Sequence, residues 1–356
     1  MEKSPHASAR PQELHDAMAR RLYRRAVATG QIRLMAVPGM LDEYVKMCDT
    51  VFAGLGTPLA VEQRDQLRTI LQKELAAAFE ASARSTIVIS YDVPVGEVLN
   101  YVVRAEWTTI EAGYENWVNT RQPPLFGTEP DARVWALAGE AGDPRGCRVL
   151  DIGAGTGRNS LALARRGHPV DAVEMTPMFA DNLRADAYRE ALEVRVIHRD
   201  VFAAGDDLRS DYQLIVLSEV TPDFRTTGQL RDMFELAARR LAPGGRLVFN
   251  VFVTRDGYLP DGAARELSQQ CYNMFFTRGE ISDAASGLGL QLVSDDSVYD
   301  YEKTHLPDGA WPPTGWYAEW TRGLDVFDVQ PEACPIEMRW LVYRKPAATG
   351  DVTMTR

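Results

Sequence analysis

The sequence predicts a doubly wound α/β domain, a mostly parallel sheet covered by helices on both faces, preceded by a mainly helical N-terminal region. Three observations predict it. From Gly146 onward, β-rich apolar runs alternate regularly with helical segments, the pattern that builds parallel sheets. The first of these runs, Val149–Ile152, turns through Gly153, Gly155 and Gly157 into a helix. And 356 residues with 45% hydrophobic content are ample for a core of this size with a sizeable appendage.

Residues 1–11 read as a disordered N-terminus and 346–356 as a disordered tail, both short and polar. Residues 12–130 form the N-terminal region, a cap, lid or interaction region. Glu13 to Ala83 reads as helical, most clearly over Val61 to Ala83, where Leu67, Ile70, Leu71, Leu75, Ala78 and Phe79 recur at three- and four-residue steps. Gly54 to Pro58 breaks the preceding helix. Thr86–Tyr91 and Val98–Val103 flank Pro94-Val95-Gly96 as a β-hairpin. Thr109 to Asn119 reads as a helix with Tyr114 and Trp117 on one face. Gln122 to Gly127 is a loop, and Asp131 to Ala141 a short helix leading into the core.

Residues 131–345 form the α/β domain. Strands are read at 148–152, 170–174, 194–198, 212–218 and 246–253, with helices at 158–166, 177–189, 229–240 and 262–275. Leu290 to Tyr301 and Ile336 to Arg344 are β-rich and form a terminal antiparallel pair. Between them lies an aromatic insertion, 302–335.

Composition narrows the partners. A net charge of −11 argues against a nucleic-acid or anionic-membrane surface, which needs clustered Lys and Arg. No stretch approaches the roughly 20 apolar residues of a membrane-spanning helix, and the N-terminus has no apolar leader segment. A cytoplasmic protein is expected. Cys48, Cys147, Cys271 and Cys334 are widely spaced, with no zinc-ligand pattern, so reduced thiols and no metal are expected.

The glycine run marks a nucleotide-cofactor pocket, because glycine allows positive φ and close approach to a ligand at a helix N-terminus. Glu174 follows Asp151 by 23 positions, near the roughly 20-residue spacing of an acid that holds ribose hydroxyls. A nicotinamide dinucleotide would satisfy that much. Three features favour S-adenosylmethionine instead. The glycines follow GxGxG and not the dinucleotide GxGxxG. Asp200-Val201-Phe202 follows the third strand, where an acid and apolar neighbours can hold adenine. Pro243-Gly244-Gly245 turns a helix into the next strand.

With these motifs in order, VLDIGAGTGRNS, AVEM, HRDVF, LIVLSEV and LAPGGRLVF, the chain resembles the class I S-adenosylmethionine-dependent methyltransferases over about 146–255. The first motif is similar to the small-molecule branch that includes tellurite-resistance-type and thiol methyltransferases. The resemblance implies a seven-stranded sheet with an antiparallel last strand. It implies that Asp151, Gly153, Ala154, Gly155 and Gly157 wrap the methionine part, that Glu174 holds the ribose diol, and that Met175, Asp200 and Val201 meet adenine. Ser218 and Glu219 would border the sulfonium. Gln213 departs from an acid that many relatives carry.

Methyl transfer mainly requires alignment of the nucleophile, with a base only where the nucleophile is protonated. Candidates for catalysis are Glu219, Asp223 and His305, with cofactor orientation or helix capping as the alternative for Glu219. Tyr114 and Trp117, with Trp311, Trp316, Tyr317 and Trp320, either wall an acceptor pocket or pack the insertion and the N-terminal region. The expectation is methyl transfer to the oxygen, nitrogen or sulfur of a small organic acceptor, with possible homodimerisation through the N-terminal region. The alternatives are a protein methyltransferase, a cofactor-binding regulator without turnover, and a nicotinamide-dependent dehydrogenase.

Overall fold

The computed structural model describes residues 11–94, 99–120, 125–255 and 257–347. The termini and the turn at 95–98, as well as residues 121–124 of the loop before Leu125, lie outside the described residues. The chain divides into two compact units, one ending at Thr109 and the other starting at Ile110. The expected boundary near 130 therefore falls inside the second unit.

The first unit comprises α1 (Pro11–Arg25), β1 (Val27–Met35), α2 (Leu41–Gly54), α3 (Val61–Ala81), β2 (Thr86–Pro94) and β3 (Asn100–Glu106). Its strands form an antiparallel sheet in the order β1-β2-β3. The periodic face of α3 is buried at Leu67, Leu71, Leu75 and Ala78 against Phe52, Ile87 and Ile89, whereas Ile70 is largely exposed. β1 corrects the helical reading of this stretch. Ile32 and Leu34 alternate with Arg33 and Met35, a period of two, and the strand pairs with β2 along its whole length. Gly30 leaves room for the Tyr91 ring, which a Cβ would meet at 2.3 Å from its hydroxyl and push aside.

The second unit opens with α4 (Ile110–Asn119) and α5 (Ala132–Gly139). It continues with β4 (Val149–Ile152), α6 (Arg158–Arg165), β5 (Val170–Glu174), α7 (Pro177–Arg189), β6 (Val194–His198) and β7 (Tyr212–Leu217). After α8 (Thr227–Arg240) come β8 (Leu241–Thr254), α9 (Gly262–Gln270) and the short β9 (Phe275–Phe276). α10 (Arg278–Ala285), β10 (Gln291–Ser297), α11 (Val298–His305), α12 (Tyr317–Trp320) and β11 (Ile336–Arg344) complete it.

The main sheet runs β10-β11-β8-β7-β4-β5-β6, with β9 beside β8. β11 is antiparallel to both neighbours and the rest of the seven-stranded path runs the other way. Every residue of β4 and β5 is buried, as a sheet covered on both faces requires. The chain leaves β4 toward β5 and β6, then returns to place β7 on β4's other edge. The carboxyl ends of β4 and β7 thus border the crevice where such sheets bind ligands.

Local differences from the sequence reading have local causes. Residues 298–301 are helical, because Ser297 accepts from the Asp300 amide and starts α11. α9 stops at Gln270, and Tyr272 takes φ +59° before the chain extends into β9. Pro243-Gly244-Gly245 lies within β8 as a bulge: Tyr212 pairs with Leu241 and Leu214 with Arg246. α10, absent from the sequence reading, carries a Thr277/Glu280 capping box.

Candidate functional site

The loop after β4 is built for a left-handed backbone. Gly153, Gly155 and Gly157 have φ of +69°, +54° and +92°. A Cβ at Gly153 would meet Val220 Cγ2 at 2.4 Å, and one at Gly157 would meet Leu183 Cδ1 at 2.4 Å. At Gly155 a Cβ would make only ordinary contact with the Phe126 ring, at 3.6 Å, so there the left-handed backbone and not crowding calls for glycine. The Gly155 amide donates to Glu174 Oε2 at 2.8 Å, and the other carboxylate oxygen accepts from the Thr176 amide at 2.7 Å. Glu174, at the end of β5, therefore braces the loop while keeping lone pairs for a ligand.

Asp151 is buried at the carboxyl end of β4 and accepts from Ser160 Oγ at 2.6 Å. Burial pushes its carboxyl up to about 7, with Asp131 adding to the shift and the Ser160 hydrogen bond opposing it. Asp200 caps the turn after β6 by accepting from the Phe202 amide at 2.9 Å.

At the end of β7 a buried ion network carries information the sequence reading missed. Arg158 Nη2 lies 2.8 Å from Asp131 Oδ1 and 2.9 Å from Glu219 Oε1. Asp131 Oδ2 also accepts from Ser218 Oγ and Asn159 Nδ2, at 2.6 and 2.8 Å. One guanidinium therefore serves two buried carboxylates. Burial opposes charge on Arg158, but Asp131 and Glu219 outweigh it and hold the group cationic. Glu219 is pushed up to about 7 by burial and by Asp131, with Arg158 pulling the other way. Its backbone is left-handed, φ +61°, fixed by its amide's hydrogen bond to Asn250 Oδ1 at 2.7 Å. Such a conformation in a bulky residue marks a site that surrounding structure over-determines. The available signal was polar Arg158-Asn159-Ser160 at the start of a helix whose neighbours pack into the core.

A single cavity of about 400 Å³ joins these parts. It is lined by the glycine loop with Glu174, Met175, Asp200 and Val201, and by Asp151, Ala154, Ser218 and Glu219. Tyr114, Tyr272, Trp316, Trp320 and Asp223 line the same space. Tyr114 donates its hydroxyl to Asp223 Oδ2 at 2.7 Å, and Trp320 Nε1 donates to the Tyr272 carbonyl at 3.1 Å. Phe126, Phe179 and Tyr272 were not read from the sequence as wall residues.

Other expected residues lie elsewhere. His305 is on the exposed side of α11, stacked on Tyr301 with ring centroids 4.2 Å apart, and does not line the cavity. Trp311 packs edge-on against Tyr299 and Tyr317, and Tyr317 is buried behind the cavity wall. Gly157 also sits behind the wall, capping α6. The Trp117 side chain lies outside the described residues.

Residues 149–245 match a family described as a methyltransferase domain. Over these residues the chain carries a methyltransferase domain. Among curated proteins, the chain is 32% identical to ribosomal RNA small subunit methyltransferase C of Chromohalobacter salexigens, over 44% of the chain and 48% of that protein. It is 36% identical to magnesium-protoporphyrin O-methyltransferase of Rhodobacter capsulatus, over 21% of the chain and 33% of that protein. Among solved structures it is similar to geranyl diphosphate C-methyltransferase of Streptomyces coelicolor, at 17% identity and a TM-score of 0.43, covering 60% of this chain and 80% of that one. The chain spans about half or less of the length of the curated relatives it matches. Gly155, the braced Glu174 carboxylate and Asp200 with its apolar neighbours line one cavity, and these groups suit a nucleoside-bearing cofactor. Among the described residues no helix is long and apolar enough to cross a membrane.

Proposed function

We propose that this methyltransferase transfers the methyl group of S-adenosylmethionine to a small organic molecule. The observation that carries the reading is the cavity itself, one space lined both by the glycine loop and by aromatic side chains. In this reading Asp151, Gly153, Ala154 and Gly155 surround the methionine part, with Gly157 setting the helix behind it. Glu174 takes the ribose diol, and Met175, Asp200 and Val201 take adenine. Bound there, the cofactor supplies a methyl group already activated by the sulfonium charge. Ser218 and Glu219 line the same space, Glu219 as the proton acceptor and Asp223 as a polar anchor for the acceptor molecule. Tyr114, Trp316 and Trp320 exclude water and orient it.

The net charge of −11 supports a small acceptor over RNA. Incubating the protein with methyl-labelled S-adenosylmethionine and a cell extract, then separating small molecules, RNA and protein, tests this. Label in the small-molecule fraction is the expected result; label confined to RNA or protein overturns the acceptor class. Cofactor binding with no transfer to any fraction would identify a binding protein without turnover.

A further inference from the structure

β1 is an open edge. In the three-stranded sheet of the first unit its nine residues, Val27–Met35, pair with β2 on one side only, in a register without a shift. Such an edge is a template for a further strand, and proteins usually blunt it with proline, lysine, a bulge or a covering helix. β1 has no proline, lysine or bulge, and its one charged residue, Arg33, is paired with Glu106 of its own sheet at 2.6 Å. Nor is it covered by α1, which does not pack along it. Val27 and Met35 are 50% and 42% exposed, and Ala28, Thr29, Gln31 and Arg33 are exposed as well.

The residue order of β1 selects what pairs with it. Residues opposite one another in an antiparallel pair face the same side of the sheet, so a two-fold axis between two copies of one strand passes through a residue. Through Gln31, the midpoint, all nine residues pair: Val27 with Met35, Ala28 with Leu34, Thr29 with Arg33, Gly30 with Ile32, and Gln31 with its own copy. On the core-facing side, Ala28 and Gly30 meet Ile32 and Leu34, which pack into the core of the unit. On the outer side the two exposed apolar residues meet at each end, and polar residues meet between them. No like charges face each other, because Arg33 meets Thr29. The other edge of the sheet lacks this match: about Val103, the midpoint of β3, Val102 would face Arg104.

We propose that two copies of this chain join β1 to β1 about Gln31, making one six-stranded antiparallel sheet from the two first units. Its strand order is β3-β2-β1-β1-β2-β3, with α2 and α3 of both copies on one face. The pairing supplies partners to backbone N–H and C=O groups along the edge. It is independent of the methyl acceptor.

Gln31 provides the test, because its side chain is exposed and donates to Ser90 Oγ of the same copy at 3.2 Å. Gln31→Lys and Gln31→Glu each place two like charges about 5 Å apart across the axis, where like charges oppose pairing. Sedimentation velocity of the full chain should show a dimer for the wild type and a dissociation constant raised at least tenfold in either variant. Mixing the two variants should restore a dimer at least as tight as the wild type, and that restoration also shows that both are folded. A monomeric wild type overturns the proposal, as does a dimer that either variant leaves unchanged or that mixing fails to restore.

Discussion

Gly155 donates its backbone N–H to Glu174 Oε2 at 2.8 Å, tying the loop after the first strand of the methyltransferase domain to the end of the second. The carboxylate's other oxygen holds the Thr176 amide at the start of the following helix. Removing it strands two backbone donors. Glu174→Ala should therefore cost about 1–3 kcal/mol of stability and weaken S-adenosylhomocysteine binding at least tenfold. Glu174→Gln should recover part of the stability, since one amide oxygen still accepts. Urea unfolding and calorimetry on both variants check this.

Arg158 presents the reverse case, one cation holding two buried carboxylates. Arg158→Met leaves Asp131 and Glu219 facing each other without compensation, and breaking a buried pair in this way costs about 3–5 kcal/mol. Arg158→Lys keeps the charge but loses the planar fork, so it should fall between the two. The midpoint of chemical unfolding for each variant is the readout.

Asp151 should make stability depend on pH in an identifiable direction. Its carboxyl rises from the ordinary 3.8 to about 7 in the folded protein, because burial disfavours the charged form. The folded state then binds more protons than the unfolded one between those values. This contribution is fully present below pH 3.8 and is lost as pH rises through about 7, on the order of 4 kcal/mol in all. Asp171 and Asp295, held low by arginines, work in the opposite sense. Comparing unfolding free energy against pH for the wild type and Asp151→Asn isolates the effect: the fall between pH 4 and 7 should be smaller in the variant, with Glu219 still contributing its own share.

Two glycines separate backbone strain from crowding. Gly157 has φ +92° and a Cβ there would meet Leu183 at 2.4 Å; Gly244 has φ +83° and open space around it. Gly244→Ala should cost about 1 kcal/mol from the backbone alone. Gly157→Ala should add overpacking of about 1–3 kcal/mol. Equal thermal stabilities would show that the packing around Gly157 yields freely.

Legibility in the sequence followed the range of the interactions. The core strands could be read because their burial and glycine turns are encoded locally: β5 and β6 occur where the apolar runs place them. Gly155, Glu174 and Asp200 could be singled out because their spacing along a βαβ unit reflects their proximity in space. Glu219 could be singled out too, but its ion network with Asp131 and Arg158 could not. They meet across gaps of 27 and 61 positions, and no local pattern reports such a meeting. β1 escaped because its pairing with β2 is a long-range interaction. The strand reading of 298–301 failed for the opposite reason, with Ser297 offering a local cap that outweighs β-rich composition. Glu302 on that helix then accepts from the Ala132 and Arg133 amides, a contact between residues about 170 positions apart.

The central claim is that the cavity lined by the glycine loop holds S-adenosylmethionine. Its most direct test is parallel calorimetric titration of the purified full chain with S-adenosylhomocysteine and with NAD. The account predicts one saturable S-adenosylhomocysteine site per chain, displaced by S-adenosylmethionine and weakened by Glu174→Ala, with no heat from NAD. Saturable NAD binding in the absence of any S-adenosylhomocysteine binding would contradict it.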